Sequence, residues 1–216
     1  MEYAALDSWL GDGFPATSAA TVRASRGISG LGAAASGDVW SPAPRLGEKV
    51  DFRKVQGEIS RAQTIARPTA DTTLALRLAV AGQYTADLLP PAEKFYLGGG
   101  RFNRGYYYGQ VSGDSAVSVS AELQLNTPVP LPDFAPFDLQ AQFYLFYDWG
   151  QAFQNARQES DAMLRSWGGG VRLYAGESLE VSFEGVGRLN RYPNGRGPDI
   201  SPLEAAAFYW QVLWRF

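Results

Sequence analysis

The chain has 216 residues, a formal net charge of -3, no cysteine and no histidine. The absence of these two residue types excludes thiol nucleophiles, thiolate metal sites and Ser-His-Asp triads. The acidic balance argues against nucleic acid as a partner, because phosphate binding needs a basic face. The sequence has no run of about 18 consecutive apolar residues, so a transmembrane helix is not expected.

The N-terminal residues do not have the features of an export signal. The stretch from Met1 to Asp7 has neither a basic segment nor an apolar one, and a secretory signal peptide contains both. We expect residues 1–19 to be a remnant or a loop that precedes the first strand. For an exported protein, this would place the true start outside the present chain.

Segments in which apolar and polar residues alternate make up most of the chain. They predict about eight strands, each near the length of about 9–11 residues that a tilted strand needs to cross a membrane. The predicted strands are 20–29, 50–64, 73–83, 116–126, 137–149, 163–175, 178–188 and 207–216. Stretches dense in Gly, Pro, Asn, Asp and Ser predict loops at 31–49, 86–115, 127–136, 150–161 and 189–206.

In the first half of the chain, the clearest alternation lies in segment 73–83. Arg77 and Gln83 lie on its polar face, opposite an apolar face of Leu74, Leu76, Leu78 and Val80. A loop rich in glycine and aromatic residues follows at 86–115. Loops of this length inside a compact domain are usually functional. Aromatic side chains at positions 95, 96, 102 and 106–108 are expected to pack against neighbouring structure.

The strands after this loop carry charged and amide side chains in the middle of their polar faces. These are Glu122 and Gln124 in 116–126, Gln140, Gln142 and Asp148 in 137–149, Arg172 in 163–175, and Glu180 and Glu184 in 178–188. The opposite face of 137–149 is apolar throughout, with Phe137, Leu139, Ala141, Phe143, Leu145, Tyr147 and Trp149. A water-filled interior accepts such polar faces, whereas a packed core does not.

The last predicted strand, 207–216, has an aromatic stripe. Its even positions are Phe208, Trp210, Val212, Trp214 and Phe216, a pattern typical of the aromatic girdle at a membrane interface. A chain that stops on an aromatic residue at the end of such a strand also resembles the C-terminal assembly signal of bacterial outer-membrane barrels. Trp214 and Phe216 are the candidate residues of that signal.

Alternation alone also fits a soluble β-sandwich or a lipocalin-like barrel. Two features favour a membrane protein. Charges stand in mid-strand on the polar faces, and wide apolar faces recur on nearly every strand, which would leave a soluble sheet with no polar outside. The prediction is therefore an all-β fold, a transmembrane antiparallel β-barrel.

Three motifs, in order, resemble those of the Omp85 superfamily, and in particular the two-partner-secretion transporters of the haemolysin activation/secretion type. Asn103-Arg104-Gly105-Tyr106 resembles the family's Arg-Gly-Tyr loop, with Asn103 where Val or Ile is usual. The segment from Phe146 to Gly150, with Asp148 at its centre, resembles the Phe-x-Asp-x-Gly strand motif. Gly170-Val171-Arg172 resembles the Gly-x-Arg motif. The resemblance runs from about residue 20 to 216.

The resemblance implies a barrel of roughly sixteen strands, within the range known for bacterial barrels, preceded by POTRA domains. The chain would then be the C-terminal half of the barrel, residues 20–216, without the N-terminal strands and the POTRA domains. The loop 86–115 would fold back into the barrel as a plug, and its Arg104 would meet Asp148. The alternation independently places Asp148 and Arg172 on inward faces.

The functional prediction is an outer-membrane pore of a Gram-negative bacterium that passes an unfolded exoprotein. Its partners would be that client, the barrel-assembly machinery and outer-membrane lipid. One alternative is a barrel-assembly factor of the same superfamily, and another is a soluble β-sandwich binding module. An enzyme is not predicted, and neither is a cofactor or a metal. Glu180 and Glu184 share a polar face but are too far apart for a tuned acid/base pair.

Overall fold

The structure, a computed structural model, describes residues 1–30, 45, 47–132, 137–195 and 200–215. Within them there are eleven strands and one short 3₁₀ turn, Pro91–Glu93. No helix among these residues has the length and apolar character needed to cross a membrane. The strands are β1 Glu2–Asp7, β2 Ala16–Arg26, β3 Arg53–Ala66, β4 Thr73–Tyr84, β5 Phe95–Leu97, β6 Val111–Gly113, β7 Ser115–Val129, β8 Leu139–Phe153, β9 Ala162–Ala175, β10 Leu179–Arg188 and β11 Ala206–Trp214.

Nine of these strands form one antiparallel meander. Their order is β1-β2-β3-β4-β7-β8-β9-β10-β11, so neighbours in the sheet are neighbours in the chain apart from the inserted β5 and β6. β5 and β6 pair only with each other, as a small ribbon. The sheet is not closed, because β1 and β11 stand at its two edges. The all-β, antiparallel part of the prediction is confirmed. The nine strands form an open sheet and not a closed barrel.

Several predicted boundaries differ from the structure. Residues 2–7 were expected to lie in a remnant or loop, but they form β1 and pair with β2, which begins at Ala16. β8 runs on to Phe153 and β7 to Val129, into segments predicted as loops. The alternation locates the centre of a strand. The ends of a strand depend on how far the neighbouring strand provides hydrogen-bond partners, as between β7 and β8.

The connections at the two ends of the sheet differ in length. Residues 8–15, 67–72, 130–138 and 176–178 join strands at one end, called here the turn end. Residues 27–52, 85–114, 154–161 and 189–205 join strands at the other, the loop end. Bacterial outer-membrane barrels have the same asymmetry, with short turns on the periplasmic side and longer loops outside.

The two faces of the sheet have opposite character, because successive side chains of a strand point to opposite sides. One face, called here the outer face, is apolar yet exposed: Leu145 is 64% exposed and Trp210 is 74% exposed. The other, the wall face, carries polar residues of β7 to β10. The long loop, residues 85–114, folds back onto the wall face and contacts it through the hydrogen bonds described below.

Candidate functional site

The long loop is held in a defined conformation. Leu97, Tyr106 and Val111 pack into a buried cluster with residues of β7, β8 and β9. The Tyr106 side chain is almost fully buried, and its hydroxyl lies 2.7 Å from the Arg165 carbonyl oxygen and 2.9 Å from that of Asn190. The loop is therefore attached to β9 and to the chain just beyond β10.

Arg104 forms the central contact between the long loop and the wall face. Its Nε and Nη2 each lie 2.9 Å from one carboxylate oxygen of Asp148, and its backbone N–H donates to the same carboxylate at 3.0 Å. The Asp148 side chain is 2% exposed and that of Arg104 is 11% exposed. The guanidinium thus grips the carboxylate with two parallel hydrogen bonds, a geometry that Lys cannot reproduce.

Glu122 of β7 extends this pair into a network. One of its carboxylate oxygens accepts a hydrogen bond from Arg104, and the other lies 3.0 Å from Arg172 Nη1. Ser120 of β7 donates to Asp148 at 2.7 Å. Glu184 of β10 lies 3.7 Å from the Arg104 guanidinium. Two arginines and three carboxylates from the loop and four strands therefore form one ionic cluster.

Two aromatic rings of β8 lie beneath the arginines. The guanidinium carbon of Arg104 is 3.4 Å from the centroid of the Phe146 ring, and that of Arg172 is 3.8 Å from the Tyr144 ring. Aromatic faces attract cations most strongly where water is excluded. The Phe of the strand motif thus supports the arginine that its Asp holds.

The glycines of the three motifs provide space for close approach. A Cβ at Gly150 would lie 2.2 Å from Asn103 Oδ1, and one at Gly170 would lie 2.2 Å from the Phe183 carbonyl oxygen. Gly105 has φ +89°, and a Cβ there would lie 2.5 Å from Val186. At Gly105 the loop backbone thus approaches the wall closely, and Gly150 makes room for the Asn103 side chain, whereas Gly170 permits close contact within the sheet.

Asn103 also adopts a left-handed backbone conformation, with φ 62°, which Asn tolerates better than most residues. Its side chain is 2% exposed and fills the space beside Gly150. Its Oδ1 accepts a long hydrogen bond of 3.4 Å from Ser118. Asn suits this position, since β-branched residues such as Val and Ile are poorly suited to positive φ.

The structure brings most of the sequence-derived site residues together. Asn103, Arg104, Gly105 and Tyr106 lie against the wall face beside Asp148, Phe146 and Gly150, with Arg172 and Gly170 one strand away. Trp214 lies far from them, at the end of β11 on the outer face, and is 71% exposed. Phe216 lies outside the described residues.

Some expectations for the long loop are wrong. Its aromatic residues were expected to pack, but Tyr107 and Tyr108 are 68% and 87% exposed. Glu122 was predicted only as one of several polar residues on the inward faces of the strands, with no link to either arginine. The β7–β8 register that places Glu122 opposite Phe146 is fixed only by the folded sheet, so the sequence held no signal for this link. Nothing in the sequence pointed to Arg45 or Asp114.

A cavity of about 670 Å³ lies between the long loop and the wall face. Its lining includes Arg77, Arg104, Glu122, Arg172 and Glu184. Among the described residues, no group of acidic side chains is arranged to hold a metal ion. The ionic cluster around Arg104 is suited to holding the long loop by paired charges. It also places charges of both signs on the wall of this cavity.

The family model of the haemolysin secretion/activation protein ShlB/FhaC/HecB matches residues 9–173 of the chain. The match contains the loop motif and both strand motifs, and it ends before β10. It thus begins earlier than the expected limit of residue 20 and stops short of residue 216. Comparisons with curated proteins and with solved structures gave no match.

Proposed function

Since the chain belongs to the haemolysin secretion/activation protein family ShlB/FhaC/HecB, a family of outer-membrane transporters of two-partner secretion in Gram-negative bacteria, we propose that its sheet forms part of the wall of a protein-conducting pore. The client is an unfolded exoprotein that passes along the wall face. The long loop is the plug of this pore, and the hold of Arg104 on Asp148 and Glu122 is the observation that carries the proposal.

The two faces of the sheet support a position in the membrane. The outer face exposes large apolar side chains on almost every strand, among them Phe143, Leu145, Trp167 and Phe183. In water such a surface would be far larger than a soluble monomer tolerates. The charged residues of the cluster around Arg104, namely Glu122, Asp148, Arg172 and Glu184, face the other way, as in a barrel with a lipid-facing outside and a wet interior.

The strand count supports a larger barrel. β1 and β11 are the first and ninth strands of an antiparallel meander, so they run in the same direction and cannot pair antiparallel with each other. Bacterial single-chain barrels have an even number of strands, and an open edge in lipid costs several kcal/mol for each unsatisfied backbone group. We propose that further strands complete the barrel, and that the chain represents its C-terminal portion, preceded by POTRA domains.

The paired charges suit a plug that stays in place until it is displaced. Removing one member of a buried ion pair costs roughly 3–5 kcal/mol, because the other charge is left buried and unpaired. Asp148 would be such a charge if Arg104 were replaced while the loop stayed in place, since the loop covers it almost fully. The ion pair therefore favours the plugged state, and a client must supply interactions that offset its loss.

Channel recording in planar lipid bilayers tests this proposal, with the complete transporter that carries this chain. Arg104→Ala should raise the mean conductance and the open fraction, because the plug loses its central contact. Arg104→Lys should give an intermediate value, since the charge remains but the two-point grip is lost.

Arg101→Ala is the matched control. Arg101 lies in the same loop and contacts Glu58 at 2.5 Å, but its side chain is 74% exposed, and exposed ion pairs contribute only about 0–1 kcal/mol. It should leave the conductance unchanged. Recordings in which Arg104→Ala and the native protein behave alike, or in which neither forms channels, would contradict the proposal.

A further inference from the structure

A second ionic cluster lies at the loop end, apart from the one around Arg104. It joins three connections that are distant in sequence: the β2–β3 connection through Arg45, the long loop through Leu89 and Asp114, and the β8–β9 connection through Glu159. Residues 89 and 114 lie near the two ends of the long loop, where it leaves β4 and enters β7.

Arg45 is the centre of this cluster. Its Nη1 and Nη2 lie 2.6 and 3.0 Å from the two carboxylate oxygens of Asp114. Nη1 also donates to the Leu89 carbonyl oxygen at 2.6 Å, and Nε donates to Glu159 at 2.7 Å. One guanidinium of the β2–β3 connection thus contacts both the long loop and the β8–β9 connection. The planar fork of guanidinium donors permits this, whereas an ammonium group does not.

Asp114 is the acceptor that closes the cluster. Its side chain is fully buried, and besides Arg45 it accepts the backbone N–H groups of Leu89 at 2.9 Å and Asn155 at 2.8 Å. Glu159 is shared in turn with Lys94 of the long loop, at 2.7 Å. A buried carboxylate with four donors is stable only while its charged partner stays in place.

The two ionic clusters share no side chain. Arg104 contacts Ser120, Glu122, Asp148 and Glu184. Arg45 contacts Glu48, Asp114, Glu159 and the Leu89 carbonyl oxygen. β5 is paired with β6 next to Asp114, so the segment between the two clamped ends of the long loop is residues 98–110, which include Arg104. Loss of the Arg104 contacts would therefore leave the ends of the loop attached.

We propose that Arg45 is a positioning residue that fixes both ends of the long loop at the loop end of the sheet, independently of Arg104, so that only the segment between them can leave the wall face. The inference rests on the proposed role of this loop as a plug. It makes the plug a tethered flap, in which the client displaces residues 98–110 while residues 85–97 and 111–114, which include the paired strands β5 and β6, stay in place.

Backbone hydrogen exchange of the complete transporter in detergent micelles tests the inference, since three amides report on the two clusters. The amides of Leu89 and Asn155 donate to Asp114, and that of Arg104 donates to Asp148. Arg45→Gln should speed exchange at residues 89 and 155 by about tenfold or more, with little change at residue 104. Arg104→Gln should give the reverse pattern.

Lys49→Gln is the matched control. Lys49 pairs with Asp87 at the same end of the sheet, but its side chain is 58% exposed, so its loss should leave all three amides unchanged. If Arg45→Gln does not fold, Glu159→Ala removes one contact of the same guanidinium and should speed exchange at residues 89 and 155 more weakly.

Two results would overturn the inference. Equal acceleration at all three amides after Arg45→Gln would mean that the loop is held as one unit. Unchanged exchange at residues 89 and 155 in both variants would mean that Arg45 does not hold the loop ends. Because the measurement requires no transport, it separates this inference from the proposed function, which channel recording decides.

Discussion

At the scale of single residues, the position of the long loop depends on contacts that tolerate little change. The side chain of Asn103 occupies the space that a Cβ at Gly150 would need. Arg104 and Asp148 are fixed by the same fit, because Asn103 directly precedes Arg104 and Gly150 follows Asp148 by two positions on the same face. The glycine of the strand motif thus serves the ion pair beside it.

Gly150→Ala should therefore destabilise the folded protein by about 1–3 kcal/mol, the usual range for overpacking a filled site. The added methyl group would lie 2.2 Å from Asn103 Oδ1 and must displace the Asn103 side chain. The temperature at which the folded band shifts on a semi-native gel measures the effect. Gly100→Ala is the control, since nothing lies within 4 Å of a Cβ there. Equal shifts in both variants would contradict the fit.

At the scale of elements, the strands of the second half have one mainly apolar, exposed side and one side that belongs to the wall face. β8 shows this most clearly: Leu145 is exposed on the outer face, whereas Phe146 and Asp148 on the wall face are buried beneath the long loop. A soluble sandwich would bury its apolar face against a second large sheet. Among the described residues, the only other sheet is the β5–β6 ribbon.

Leu145→Arg should lower the free energy of unfolding in lipid vesicles by about 2–4 kcal/mol, the cost of a cation on the lipid face near the bilayer midplane. Gln140→Arg places the same side chain on the wall face of the same strand and should cost little. Urea titration followed by tryptophan fluorescence measures both. Similar costs for the two variants would mean that the outer face does not contact lipid.

At the scale of the whole molecule, the loop end is held together by charges that stay paired over a wide pH range. Burial raises the pKa of the Asp114 carboxyl, but hydrogen bonds from Arg45 and two backbone amides outweigh it and leave that pKa below its ordinary value. The pKa of Glu159 is also lowered: burial raises it, and hydrogen bonds from Arg45 and Lys94 outweigh this effect.

A carboxyl with a lowered pKa stabilises the fold above its unfolded pKa, about 3.9 for Asp and 4.3 for Glu, and this contribution is lost as the pH falls through the lower folded value. The protection of the Leu89 and Asn155 amides, corrected for intrinsic exchange, should therefore be constant from about pH 5 to 8 and fall only in stronger acid. A marked loss of protection between about pH 5 and 8 would contradict this assignment of charges.

The sequence by itself determined the all-β class, the alternation that separates the two faces, and the motifs that identify the family. These features are local: a period of two places Asp148 and Arg172 on one face whatever lies beside them, and glycine-rich and charged motifs can be recognised within a few residues.

Only the tertiary structure decided which charges meet. Glu122 bridges Arg104 and Arg172 because of strand register and the path of a thirty-position loop, and Arg45 reaches Asp114 across 69 positions. The added strand β1 exists because β2 offers it partners, not because its own residues alternate strongly. Such contacts depend on the sheet as a whole, since local periodicity fixes the direction of a side chain but not what stands opposite it.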